Sequence, residues 1–363
     1  MPEFIPGLQL CEAFYAEVVR PILAAEFSAL SYSAARIDSG SDVLGFDTEM
    51  STDHGWGPRL QLFLREEDYP HIEKRLRATL SRRLPPLFRG YPTGYQVHAG
   101  GSLIPAACEA GAVTHFVEPM TVASFFRAAL DFDIRAEIAP ADWLTFPEQT
   151  LRTLTAGAVY HDGLDLQTVR DRFRYYPHDV WLYLLAAGWT RIGQEEHLMG
   201  RAGYVGDELG SALIASRLVR DLMRLCFLME RRYAPYPKWF GTAFRQLPCA
   251  ATLEPLLRQV QRAETWQERE AALVPAYEAV AALHDALGVT PPLSARATSF
   301  HNRPFRVIAL EGNFADALCG QIQNPEVRRI ADRRRIGSID QFSDSTDLLS
   351  TPCRRQTLRR LYE

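Results

Sequence analysis

The chain has little in it that would make a metal ribbon, a disulfide framework or a membrane span. Its six cysteines, Cys11, Cys108, Cys226, Cys249, Cys319 and Cys353, are scattered, and no two stand in C-x-x-C spacing. That pattern fits reduced structural thiols in a cytosolic protein better than a zinc site or a stapled secreted domain. The zincin pattern H-E-x-x-H is absent as well. Long apolar runs are missing: even residues 218–229 are interrupted by Arg220, Asp221 and Arg224, so no bilayer-spanning helix is predicted. No basic region followed by an apolar core and a small-residue cleavage site opens the chain, so no secretory leader is expected. An excess of positive charge is lacking too: 40 Lys and Arg face 44 Asp and Glu, a formal net charge of -4. Such a balance offers no field for nucleic acid. The expectation is a soluble cytoplasmic protein without a nucleic-acid or membrane partner. The sequence carries no signature of an oligomeric state.

What is present is an ordinary globular composition, 47% hydrophobic and 23% charged over 363 residues. That is enough chain for two domains and an appended segment. Residues 9–30 read as a helix bent at Pro21, and 32–38 as a strand followed by a Gly-rich loop. Residues 59–64 read as a second strand, 66–84 as a helix, 113–117 as a third strand and 119–130 as the helix after it. From residue 142 the pattern turns helical, with apolar residues three and four apart over 142–154, 166–173, 179–199, 208–232, 253–262 and 266–287. The predicted fold class is α+β: a mixed sheet with helices over 1–135, a helical bundle over 136–290, and a C-terminal extension over 291–363.

The informative stretch runs from Asp38 to Arg59. A Gly40-Ser41 pair follows the first strand, Asp53 and His54 come later in the same loop, and Arg59 stands where the second strand begins. Glycine permits positive φ and close backbone approach to a ligand. Successive backbone N–H groups in such a turn can hold an anion. His54 suits a catalytic base, a phosphate contact or a local partner for Asp53. Arg59 suits a bidentate phosphate grip or an ion pair with Asp53 or Asp47. Trp56 suits base stacking or core packing.

This loop resembles the nucleotidyltransferase superfamily, which includes polymerase-β-like and aminoglycoside-modifying enzymes. The phrases Gly-Ser-Asp-Val-Leu-Gly-Phe-Asp-Thr (40–48), Asp-His-Gly-Trp-Gly-Pro-Arg (53–59) and Gly-Ser-Ile-Asp-Gln-Phe-Ser-Asp-Ser-Thr-Asp (337–347) resemble the nucleotidyltransferase-like DUF4037 family. The resemblance implies Mg²⁺ as cofactor, ATP or another NTP as substrate, and transfer of a nucleotidyl group to a small molecule or a protein side chain. It implies that Gly40 and Ser41 hold phosphate and that Asp53 holds metal, with Glu118 as the later-strand acid. Glu118 beside Pro119 equally suits the first turn of a helix. One departure stands out. The superfamily has acid-x-acid where this chain has Asp53-His54-Gly55, and Gly55 offers no side-chain oxygen to a metal. Asp42, Asp47 or Glu49 could compensate. The alternative is therefore a degenerate transferase that binds a nucleotide or metabolite, or a metal-independent reaction on the same fold.

Further motifs lie in the helical part. The succession from 158 to 163, Tyr176-Pro177, Gly206-Asp207 and Tyr233 to Trp239 is similar to the helical half of aminoglycoside-adenylylating enzymes. In those, a strand and turn ending in Asp closes the site, here Asp162. Glu195 or Glu196 could serve as general base for an acceptor hydroxyl or form a solvated face, and the candidate base is Glu195. Lys238 could meet phosphate as a point charge, and Asp207 could cap the helix after it. Asp340, Asp344 and Asp347 would share one face if helical. Folded back over the first domain, they could supply the oxygens that Gly55 lacks. Arg333 to Arg335 and the final arginines read as solvated charge.

Overall fold

The computed structural model describes residues 3–98, 103–106 and 114–363. It is α+β and divides into two compact units: Met1–Glu137 with Thr150–Arg174, and Ile138–Gln149 with Tyr175–Glu363. The division differs from a simple succession of 1–135, 136–290 and 291–363. The chain leaves the first unit at 138, returns to it at 150, and the residues from 291 onward belong with the helices of the second unit.

The first unit is built on four strands: β1 (Tyr32–Arg36), β2 (Leu60–Leu64), β3 (Val117–Thr121) and β4 (Ala158–Asp162). Their spatial order is β3-β2-β1-β4. β1 runs antiparallel to β2 and to β4, whereas β3 runs parallel to β2. Strand alternation puts Ala34, Leu60, Leu62, Leu64 and Val117 on one face. There they meet Leu10, Cys11 and Phe14 of helix α1 (Gly7–Phe14), Ile22 and Leu23 of α2 (Arg20–Glu26), and Leu76 and Leu80 of α3 (Tyr69–Arg83). Pro21 has no N–H to return to the preceding turn, and the chain passes through a π-helical turn, Tyr15–Val19, just ahead of α2. On the other face Phe63 packs edge-on against Phe125 of α4 (Val122–Leu130), with ring centroids 5.4 Å apart.

The third strand corrects the sequence reading. It was expected at 113–117 and lies at Val117–Thr121, while Val113 falls outside the described residues. Pro119 belongs to the strand, not to a helix start. β3 ends the sheet order, so a missing N–H is tolerated there. The following helix begins only at Val122, where the Thr121 hydroxyl accepts the Ser124 N–H at 3.1 Å.

The second unit centres on α5 (His178–Tyr204), α6 (Glu208–Met229), α7 (Ala250–Arg262) and α8 (Trp266–Ala286). The apolar stripe of α5 includes Trp181, Leu184, Leu185 and Ile192, all buried. The C-terminal segment lies along this helix. Phe314 stacks on Trp189 at 4.2 Å, and Gln341 donates from Nε2 to the Leu184 carbonyl at 3.1 Å. The helix expected over 142–154 is split into Pro140–Trp143 and Glu148–Thr155, with Pro147 ending the helical path between them. The run from 338 to 350 is also two short helices, Ile339–Phe342 and Thr346–Leu349. Asp340, Asp344 and Asp347 therefore share no single helical face. Among the described residues no helix is long and apolar enough to cross a membrane.

Candidate functional site

The sheet register decides which loop residues meet. Ala35 lies opposite Gln61, and Gln61 lies opposite Glu118. The end of β1, the start of β2 and the start of β3 therefore share one end of the sheet. The Gly40-Ser41 turn leaves from that end, and Arg59 and Glu118 stand on it.

The turn is organised from inside by Arg36, the last residue of β1. Arg36 is fully buried, and its Nε and Nη2 grip the two oxygens of Asp42 at 2.7 and 2.9 Å. Its remaining hydrogen bonds go to the Ile37 and Ser39 carbonyls, at 2.7 and 2.8 Å. Burial alone would favour losing the charge. The Asp42 carboxylate outweighs it and raises the Arg36 pKa. Gly40 sits at φ +144, and a Cβ there would come within 2.1 Å of Asp42 Oδ1 and 2.5 Å of Arg36 Nη2. Only glycine can both take that φ and leave room for the ion pair. Carbonyls of the turn accept from Leu44 and Phe46, at 3.3 and 2.8 Å. Among the described residues the N–H groups of Gly40 and Ser41 donate to no acceptor. Gln61, buried opposite Glu118, accepts the Ile37 N–H at 3.1 Å and ties β2 to the base of the turn.

Arg59 is half-buried at the start of β2. It donates to the Gly55 carbonyl and lies over the Phe116 ring, 5.6 Å from its centroid. Neither Asp53 nor Asp47 pairs with it. Burial, then the Arg36 charge, lower its pKa, while Asp42 and Glu118 oppose the shift. The charges of Arg36, Asp42 and Glu118 thus all act on Arg59 at this sheet end.

Asp53 closes a 3-10 turn, Glu49–Asp53, and its side chain is 68% exposed. Its carboxylate meets His54 Nδ1 at 2.8 Å, which is the local pairing considered for His54. Gly55 adopts φ +60 and its N–H is taken by the Leu103 carbonyl at 2.9 Å. Two of the three possible substitutes for a missing acid, Asp42 and Asp47, are already engaged. Asp42 is paired with Arg36, and Asp47 accepts the Gly7 N–H at 2.6 Å and Trp56 Nε1 at 3.0 Å. Trp56 is core, stacked near Phe4 and edge-on to Tyr91. Among the described residues no three His, Cys, Asp or Glu side chains gather closely enough to hold a metal ion. Mg²⁺ needs several oxygens in near-octahedral order. The glycine, glutamine and arginine at 55, 61 and 59 do not fit that requirement.

Asp162, expected to close the site, sits at the opposite end of the sheet. It pairs with Ser33, whereas Ala158 lies beside Arg36. Its carboxylate accepts the Ser33 hydroxyl at 2.9 Å and the N–H groups of Leu166 and Gln167 at 2.7 and 3.0 Å, so it caps the next helix.

The remaining candidates lie in the second unit. Glu195 is ion-paired with Arg217. Its neighbour Glu196 is buried and accepts the Ile308 and Leu310 N–H groups at 2.7 and 3.0 Å, which anchors the C-terminal segment. Lys238 is exposed over its own neighbour Trp239, 4.9 Å from the ring centroid. Asp207 caps α6 by accepting the Gly210 N–H at 2.8 Å. His197 stacks on Phe300 at 4.5 Å. Asp340 accepts the Glu148 N–H at 2.8 Å, and Asp344 pairs with Arg220. Both acids are therefore used within the second unit's own packing. Sequence reasoning missed Arg36 and Gln61. A charged residue ending an otherwise apolar strand was the available signal for the first, and a polar residue inside an apolar strand for the second.

A mixed-sheet α+β unit with a glycine turn at one sheet end, joined to a largely helical unit, is the class of molecule that this fold defines. Residues 143–240 match the family model of DUF4037, a domain of unknown function, the family that the three sequence phrases resemble. No curated protein matches the chain. Among solved structures, a nucleotidyltransferase-like protein from Exiguobacterium sibiricum 255-15 is similar at 13% identity, covering 81% of this chain and 82% of that one, with a TM-score of 0.30. At that distance the likeness says nothing of what this chain binds.

Proposed function

We propose that this protein is nucleotidyltransferase-like and binds a nucleotide, with the phosphates against the Gly40-Ser41 turn and Arg59. The observation that carries the reading is a juxtaposition. Among the described residues, two turn N–H groups without an acceptor and a guanidinium without a carboxylate partner lie at one end of one sheet. Such N–H groups and a planar guanidinium are complementary to phosphate oxygens. Binding of ATP and ADP measured by calorimetry tests this directly. Gly40→Val should abolish it, because the added carbons collide with the Arg36–Asp42 pair. Unaltered affinity in that variant would remove the turn from the site.

Transfer to a small-molecule or protein acceptor is the second reading. It is favoured by the exposed Asp53 carboxylate and by Glu118 on β3. Its test is incorporation of labelled nucleotide in the presence of Mg²⁺. Incorporation that disappears in Asp53→Ala would establish a metal-dependent transferase and make simple binding an incomplete description.

A further inference from the structure

The residue types at the sheet end conflict with metal-held phosphate. Gly55, the position two after Asp53, has no side chain, and the space where its Cβ would stand faces Arg59 Nη1 3.8 Å away. Gln61, the residue beside Glu118 in the next strand, is an amide already committed to the Ile37 N–H. The residue leading into that strand is Arg59, a positive charge. Positions 55, 61 and 59 thus carry a hydrogen atom, a neutral amide and a cation. Bringing Mg²⁺ beside Arg59 would set like charges together.

Arg59 itself is suited to the task left over. Arg36 is neutralised by both oxygens of Asp42. Among the described residues Arg59 has a backbone carbonyl and a ring as neighbours, and it stays partly exposed. Its stem and guanidinium plane are positioned by Phe116, and its five donors can serve two phosphate oxygens at once.

We infer that Arg59 takes the place of the divalent cation, so that this site binds the polyphosphate of a nucleotide in its metal-free form. The inference rests on the nucleotide-binding reading above. It reverses the usual effect of magnesium. Mg²⁺ covers phosphate oxygens and cancels two of their charges, and so removes what Arg59 would grip. It also reverses the role of Glu118, which would repel the bound anion instead of holding a metal for it.

The test is calorimetric titration with ATP and with inorganic pyrophosphate, each in EDTA and in saturating Mg²⁺. Wild type should bind both in EDTA and lose on the order of tenfold in affinity when Mg²⁺ is added. Arg59→Met, which keeps the packing on Phe116, should lose at least about tenfold in EDTA, and Arg59→Lys should fall between. Glu118→Gln should bind no more weakly than wild type. Thermal unfolding of each variant separates lost binding from lost folding. If Arg59→Met does not fold, Arg59→Lys and Glu118→Gln decide the matter. Binding that requires Mg²⁺, or that weakens in Glu118→Gln, overturns the inference and leaves the nucleotide-binding reading standing. Absence of ATP binding under both conditions overturns both.

Discussion

Arg36 and Asp42 show what a single buried charge demands of its surroundings. A guanidinium with no solvent contact is tolerable here because both carboxylate oxygens and two carbonyls accept four of its five N–H groups. Desolvation makes such a pair poor evidence of net stability, but breaking it leaves one charge buried alone. Asp42→Asn is therefore expected to destabilise the first unit by about 3–5 kcal/mol, seen as a lower urea midpoint with an unchanged slope. Arg36→Met combined with Asp42→Leu should cost far less. An equal loss in the double variant would show that the turn depends on the charges themselves and not on their compensation. The same pair explains why Gly40 is glycine, since the space beside it is filled by the two side chains. Gly40 and Ser41 were legible in the sequence as a tight turn after the first strand. The cation inside the turn was not, because no local pattern announces which arginine will be buried.

At the scale of elements, strand pairing redistributes the roles that motif spacing suggested. Asp162 looked like a residue that closes the site, yet antiparallel pairing with Ser33 carries it to the far end of the sheet. There it caps the helix Leu166–Asp171. Burial works to raise its pKa, but the Gln167, Leu166 and Leu164 N–H groups and the Ser33 hydroxyl together bring it below the ordinary 3.8. A depressed carboxyl contributes stability that is fully present above 3.8 and is lost as the pH falls through the lower, folded-state value. Asp162→Asn should remove that acid-side loss, flattening the stability curve of the first unit below pH 3.8 while lowering the plateau above it. An unchanged acid limb would show that the cap does not titrate with folding. β3 makes the same point about elements. Its apolar residues were visible as a strand, but its position was read too early, because Pro119 looked like a helix start. An edge strand accepts proline, and edge status is a property of the sheet.

At the scale of the whole molecule, the two units are each assembled from separated stretches of chain. Within the second unit, Asp142 near its first residues is buried and paired with Arg355 and Arg359 near the C-terminus. Ile339 donates its N–H to the Leu144 carbonyl at 2.9 Å, and Asp340 accepts from Glu148. Removing residues 338–363 would leave Asp142 buried without its two arginine partners and strip the Asp340 acceptor from the Glu148 N–H. The truncated chain should lose cooperative unfolding of the helical unit, measured by circular dichroism and near-ultraviolet signals, while the first unit's transition persists. A truncated chain with the full unfolding profile would show that the C-terminal segment is an appendage and not part of that unit's core.

The helices α5 to α8 and the strands β1 and β2 were readable to within a few residues from local periodicity, since each segment's apolar spacing reports its own geometry. The Gly-Ser turn and the missing acid at Gly55 were equally plain, because they are matters of residue type. Tertiary structure alone decided that Gln61 lies beside Glu118, that Arg36 is sealed under the turn, that Arg59 lacks a carboxylate partner among the described residues, and that Asp162 and Asp340 serve packing. Those facts depend on which distant strands pair and in what register. Register is set by the sum of many weak contacts across the sheet and the core, and no short stretch of sequence contains that sum.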